Sequence, residues 1–421
     1  MKDYLDIIEK EVVMAEGCTE PIAVAYACSI ASKTLNEDVK NIKIYLSTNM
    51  IKNCLGVGIP GTGQVGAKIA AALGVLIKDP SKKLEILSGF ERETLLEANK
   101  LQECVTIHHF DTPKKLYIKV ILESENGTST TTIEDDHTFV SEVTLNNKVV
   151  YSQKALEATS DEESYDLSLK DIYEYATTVP YHEITFLREW VKANEAVSKE
   201  GLENMYGLQV GAKLFHQSAV NLLSNSFANL IVARTSAASD ARMDGCTLPV
   251  MTVAGSGNQG ITCTLPIVEL GKLLNKSDEE ITRALVLSIL IVCYIKQYMG
   301  RLAPICGAGI AGATGASCGI VYLQGGNFTQ ITYAIKNMLG DISGMICDGA
   351  KTSCALKIAT GVNAGIQCAN LALNNICPTS NDGIVCDDAD ELIRSFQTLV
   401  SKGLKNTDET ILDMMLHKGN K

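Results

Sequence analysis

The residues in this chain best equipped for chemistry are its fourteen cysteines, and three of them keep unusual company. Cys306 lies in Pro304-Ile305-Cys306-Gly307-Ala308-Gly309, where small neighbours let backbone and a bulky group come close. Cys347 and Cys354 bracket Asp348-Gly349-Ala350-Lys351-Thr352-Ser353, a polar break before a helical pattern. A straight helix would hold those two about 10.5 Å apart along its axis, too far for one compact cluster. The segment should therefore turn back on itself, and Gly349 permits the turn. There is no C-x-x-C, so neither a zinc ribbon nor a thioredoxin-type redox site is signalled. Fourteen cysteines offer too many triples for spacing to select a metal site; residue chemistry permits a three-cysteine site here without choosing it. Cys18 is different. It precedes Pro21, which suits the first turn of a helix, and at a helix start the dipole and free N–H groups favour a thiolate.

Two glycine-rich loops add candidate binding groups. Gly56-Val57-Gly58-Ile59-Pro60-Gly61-Thr62-Gly63 leads from a strand region into a helix but lacks the Lys-Ser/Thr of a P-loop and the G-x-G-x-x-G spacing. A small-carboxylate loop or a tight packing turn suits it better than a nucleotide site. In Gly255-Ser256-Gly257-Asn258-Gln259-Gly260, exposed backbone N–H groups beside Ser256, Asn258 and Gln259 suit the carboxylate or amine of a polar substrate. An ordinary helix-to-helix turn is the competing reading. The six histidines form no H-E-x-x-H, and no G-x-S-x-G elbow is present. His108 and His109 read as strand residues and His216 as a helix end, structural or surface positions. No pattern resembles the lysine site of a pyridoxal enzyme.

The elements that must position these residues predict an α+β fold, a mostly helical catalytic domain carrying an inserted sheet module. Residues 1–35 read as two helices separated by the break at 16–21 and are assigned to the catalytic domain. Residues 36–155 form the α+β module. Strands are expected at 39–47, 84–88, 105–110, 115–124, 127–135 and 141–150, the last four in hairpin succession, with helices at 63–77 and 92–102. Residues 156–421 complete the helical domain. A polar linker with one helix runs to about 180, followed by helices at 182–199, 208–214, 220–238, 267–274, 278–299, 329–339, 355–373 and 389–402. Ser277 and Glu280 give a capping box at the start of the fifth. No repeat period is present.

Composition narrows the partners. The chain has 421 residues, 46% hydrophobic, with 33 glycines and 9 prolines, which excludes disordered and collagen-like classes. Its 37 Lys+Arg against 49 Asp+Glu give a net charge of −12. That surface repels phosphate backbones and anionic lipid, so no nucleic acid and no membrane partner is expected. Residues 284–294 are apolar but shorter than a bilayer requires, and residues 302–324 are built of Gly, Ala, Ser and Thr, which suits close packing inside a protein. The N-terminus has no signal-peptide core, and the cysteines sit in apolar surroundings as reduced thiols do. The expected location is the cytoplasm.

Four motifs carry a resemblance that spacing could not supply. Glu16-Gly17-Cys18-Thr19-Glu20-Pro21, the loop 255–260, Gly300-Arg301-Leu302-Ala303-Pro304-Ile305-Cys306-Gly307 and the stretch 346–357 around Cys347 and Cys354 occur in this order. Together they resemble the L-cysteine desulfidase family, relatives of the iron–sulfur L-serine dehydratases, over essentially the whole chain. The resemblance implies an oxygen-sensitive [4Fe–4S] cluster with one iron open to substrate, held by Cys306, Cys347 and Cys354. Cys18 matches the family's proposed general base. The implied reaction converts L-cysteine and water to sulfide, ammonia and pyruvate, with no pyridoxal phosphate. Arg301 is the expected carboxylate partner, because its fork is bidentate; a structural arginine bound to backbone or a neighbouring acid is the alternative. A homodimer is expected. Three rival readings stand beside this one: an L-serine dehydratase with the same cluster, a pyridoxal-dependent lyase, and a non-catalytic iron–sulfur sensor. In the enzyme reading the three cysteines converge, Cys18 approaches them, and the loop 56–63 faces the pocket.

Overall fold

Alternation in the segment 41–46 puts Ile42, Ile44 and Leu46 on one face, and all three are fully buried in the structure. The computed structural model describes residues 4–154, 165–216 and 226–418. It is an α+β protein whose main sheet has six strands. Their spatial order is Val105–His109, Asn41–Leu46, Tyr117–Glu123, Thr128–Glu134, Val140–Leu145 and Lys148–Ser152. The first pair is parallel and the rest are antiparallel.

Three expectations for this module change. Val105–His109 is not the first arm of a hairpin; Asn41–Leu46 lies between it and Tyr117–Glu123, because a helical crossover returns the chain parallel. Residues 141–150 are two strands, split at Asn146 and Asn147, whose positive φ values of 51° and 63° make the turn. Residues 80–85 form a 3₁₀ turn where a strand was expected nearby. Helices Thr19–Leu35 and Ala67–Ile77 pack against each other, and the first lies on the sheet, closing one apolar core.

The second core surrounds the helix Asp278–Met299, started by the Ser277–Glu280 capping box. It is long and apolar enough to cross a membrane, yet most of its surface is buried by protein. Helices Gly257–Leu273, Ala313–Leu323, Leu169–Thr178 and Ala389–Thr398 pack around it. Ala308–Gly312 is a π-helical turn leading into Ala313–Leu323, both buried as the small residues of 302–324 required. The helix expected at 220–238 is observed at Phe227–Met243, and residues 220–225 of that expectation lie outside the described residues. The helix expected at 267–274 starts earlier, at Gly257.

The N-terminal segment divides between the two cores. Helix Tyr4–Glu11 and strand Val12–Ala15 belong with the helical core, the strand pairing antiparallel with Val250–Val253. Helix Thr19–Leu35 is buried in the sheet module. By packing, the boundary falls at the break 16–18 and not at residue 35, since the alanine-rich helix is apolar all round and needs the sheet to cover it. A further helix, Thr407–Leu416, was not anticipated. It returns to the sheet module, packing on helix Thr48–Cys54.

Candidate active site

Cys306 and Cys347 meet across a short antiparallel pairing. The Cys306 N–H donates to the Met345 carbonyl and the Cys347 N–H to the Pro304 carbonyl, both at 2.8 Å, on either side of an Ile305–Ile346 bridge. The two cysteines are thus diagonal neighbours, a relation that separates α-carbons by about 7–8 Å. That spacing is wide for a single ion, and among the described residues no group of three His, Cys, Asp or Glu could hold one. A multi-iron cluster spans more than one ion does.

Cys354 opens helix Cys354–Leu373, and the break before it folds back at Gly349. Gly349 has φ +92°, and a Cβ there would overlap the Lys52 carbonyl oxygen. The Cys354 thiol points back at the Gly349 carbonyl, 3.6 Å away. The Gly309 N–H donates to Cys306 Sγ at 3.3 Å. Burial, then the neighbouring Cys347, pushes the Cys306 thiol up to about 12, with Cys354 adding to the rise. Cys347 and Cys354 both lie close enough for their charge to reach the Cys306 thiol, which brings the three cysteines near one another.

Lysines surround that volume. Lys357 pairs with Asp348, and Lys351 donates to the Asp348 carbonyl. Lys52, almost fully buried, donates to the Cys347 carbonyl at 2.9 Å and pairs with Asp408 of the last helix, which Asn49 also holds at 3.0 Å. Lys296 lies buried in the central helix, donating to the Arg301 carbonyl at 3.1 Å. Burial lowers its ammonium to about 8, while the nearby Cys347 and Cys306 oppose that drop.

Cys18 forms an apolar patch with Val57 and Met243, against which Ala350 and Cys354 pack. The structure therefore brings it to the trio, and the loop 56–63 with it: Val57 touches the patch and Gly56 bridges Lys351. Cys18 sits at the cap of Thr19–Leu35 but makes no side-chain cap. The expected depressed thiol is overturned. Burial pushes Cys18 up to about 11 and outweighs the opposing pull of Arg242. Arg242 was missed by sequence reasoning, as were Lys52, Lys296 and Asp408. Arg242 is 7% exposed and donates from Nη2 to the Gly17 carbonyl at 2.8 Å and from Nη1 to Asn258 Oδ1 at 3.2 Å. The available signal was a lone charge in an otherwise uncharged helical stretch, which holds for Lys296 alone; Arg242 shares its helix with Arg234 and Asp240.

The other expected binding residues divide. Asn258 reaches Arg242, and its Nδ2 lies 3.2 Å from the Met243 sulfur. Gln259 donates to the Val253 carbonyl at 2.8 Å, and its Oε1 lies against Gly307, next to Cys306. Ser256 is the cap of helix Gly257–Leu273, accepting from the Gln259 N–H at 3.4 Å. Arg301 is taken: its Nη2 pairs with buried Glu11 at 2.7 Å, and Tyr165 donates to the same carboxylate oxygen at 2.8 Å. Arg301 does border the loop, beside Gly255. Its charge, however, has an internal partner, the arrangement that competed with substrate binding on sequence grounds.

A family model described as serine dehydratase alpha chain matches residues 81–413. A UPF0597 protein of Clostridium perfringens is 54% identical over 418 residues, covering 99% of this chain and 98% of the relative. UPF0597 proteins of Bacteroides fragilis and Oleidesulfovibrio alaskensis are each 41% identical, over 423 and 419 residues, with the same coverage.

Proposed function

Because the chain belongs to the serine dehydratase alpha-chain family, we propose that it is an iron–sulfur lyase splitting L-cysteine into sulfide, ammonia and pyruvate. The observation that carries this reading is the convergence of Cys306, Cys347 and Cys354, with Cys18 packed on Cys354. The donor set fits a [4Fe–4S] cluster: three soft thiols, none in a disulfide, with a backbone N–H on one sulfur and lysines facing the group. Cys306, Cys347 and Cys354 would hold it, and when bound it would supply Lewis acidity at an iron lacking a cysteine ligand.

The chain's own residues supply the rest. Cys18 takes the α-proton, breaking Cα–H as the Cβ–S bond breaks and sulfide leaves. The aminoacrylate so formed tautomerises and hydrolyses to pyruvate and ammonia without help. The apolar wall of Val57 and Met243 keeps bulk water from the Cys18 sulfur. Most of the cysteines are buried in apolar surroundings, as reduced thiols in a compartment such as the cytoplasm are.

The family description favours a second reading, dehydration of L-serine at the same site. Anaerobic purification with iron and sulfide analysis, followed by sulfide release from L-cysteine beside pyruvate release from L-serine, decides between them. Protein that holds iron yet turns over neither amino acid would overturn both.

A further inference from the structure

Arg242 is a buried cation to which no described residue contributes a carboxylate. It lies in the last turn of Phe227–Met243 and takes part in no ion pair among the described residues. Its acceptors are neutral: the Gly17 carbonyl, Asn258 Oδ1 and the Met243 sulfur, with the Cys18 thiol beside them. Its Nε is buried and has no acceptor at all. Burying a guanidinium against neutral groups costs several kcal/mol that an anion would offset.

The surroundings are also electropositive. The guanidinium touches the starts of two long helices, Thr19–Leu35 at Gly17 and Gly257–Leu273 at Asn258. Each start carries roughly half a positive charge. The first has no side-chain cap, so its leading N–H groups are open to an acceptor. Gly257 is what lets the guanidinium in, since a Cβ there would occupy the place of Nε. Two positive helix ends and an unpaired buried arginine make an anion site.

We propose that Arg242, with the starts of these two helices, binds the α-carboxylate of the amino-acid substrate. The assignment rests on the lyase reading above and deepens it. Its geometry agrees with that reading at three points. The carboxylate and the departing α-proton share one carbon, and Arg242 is bonded to the thiol that takes the proton. Cys354 packs against the patch that this thiol forms with Val57 and Met243, so a substrate held beside the thiol is also close to the cysteine trio. Arg301, the expected carboxylate partner, is already neutralised by Glu11.

The test compares an acid with its amide. L-cysteinamide keeps the thiol and a more acidic α-proton but lacks the negative charge, as L-serinamide does for serine. Anaerobically prepared wild-type protein should favour the acid by about 100-fold in kcat/KM, the scale at which a site built for a polar group rejects its absence. Arg242→Met should bring that ratio near one, with iron content unchanged. Asn258→Asp places a carboxylate on the guanidinium from within the protein. It should raise KM for the acid about tenfold by displacing the substrate's own charge, without lowering Tm. Arg242→Lys should keep a reduced preference for the acid.

An arginine that only ties backbone together would lower Tm on removal and leave the acid-to-amide ratio alone. If Arg242→Met keeps the wild-type ratio, or if Asn258→Asp leaves KM unchanged, the assignment is wrong and the lyase reading stands. Should Arg242→Met fail to fold, the Asn258→Asp result decides. If wild-type protein turns over neither amino acid, the lyase reading fails first and the assignment with it.

Discussion

Two breaks in this chain use the same local device and end in different environments. Residues 16–18 precede helix Thr19–Leu35, and residues 348–353 precede helix Cys354–Leu373; each contains a positive-φ glycine and delivers a cysteine to a helix start. At the first, Cys18 is 3% exposed, walled by Val57 and Met243, with the Arg242 guanidinium beside it. At the second, Cys347 and Cys354 stay half-buried among Lys52, Lys351 and Lys357, and their loop is held by hydrogen bonds to main-chain carbonyls. A helix start does not by itself make a thiolate. What packs over the cysteine decides whether it suits the proton-transfer role or the ligand role of the proposed function.

The sharpest way to break this comparison is to remove the two thiols in parallel. Cys354→Ser should lose iron and with it nearly all turnover. Cys18→Ser should keep iron and lose about 10²–10⁴-fold in rate, the worth of a positioned base. Equal iron loss in both would make Cys18 a ligand, and the contrast between the breaks would vanish. Next in size is Lys52→Met. It strips the Cys347 loop of its buried anchor and leaves Asp408 without its cation, and should cost about 3–5 kcal/mol of stability together with part of the iron that the proposed cluster would hold. Denaturant unfolding and iron analysis read both effects.

The two glycines give a finer contrast. At Gly349 a Cβ meets the Lys52 main-chain oxygen, whereas at Gly17 it meets the edge of the Pro60 ring at 2.6 Å, which can shift. Gly349→Ala should cost about 1–3 kcal/mol beyond the steric overlap and shed iron. Gly17→Ala should retain iron and lose rate. Loss of iron in the Gly17 variant alone would reverse the proposed roles.

The smallest effect concerns Asp240, on the helix that carries Arg242. Burial, with nearby Asp244, raises its carboxyl to about 7, although the Gly211 N–H donates to it at 2.9 Å. The folded state therefore holds this proton more tightly than the unfolded state does. Stability falls as pH rises from about 4 to 7, and the cost is complete above 7. Asp240→Asn should raise Tm at pH 8 and make no difference near pH 4. A gain that does not depend on pH would show the carboxyl to be ionised throughout.

The order of the long helices and of most main-sheet strands, the buried 302–324 segment and the capping box at Ser277 were legible because each follows from local periodicity or local chemistry. The motifs around Cys18, Cys306, Cys347 and Cys354 were legible as a resemblance. The sequence by itself thus determined an α+β protein with four cysteines in special contexts. It did not determine the crossover that makes Val105–His109 parallel to its neighbour, or the split of residues 1–35 between two cores, because strand order and packing depend on segments far apart in the chain. It also could not show that Glu11 takes Arg301 while Arg242 goes unpaired, or that Lys52 and Asp408 hold the loop of Cys347. Charge pairing and burial are properties of neighbours in space. Only the tertiary structure chose those neighbours, and through them the character of each cysteine.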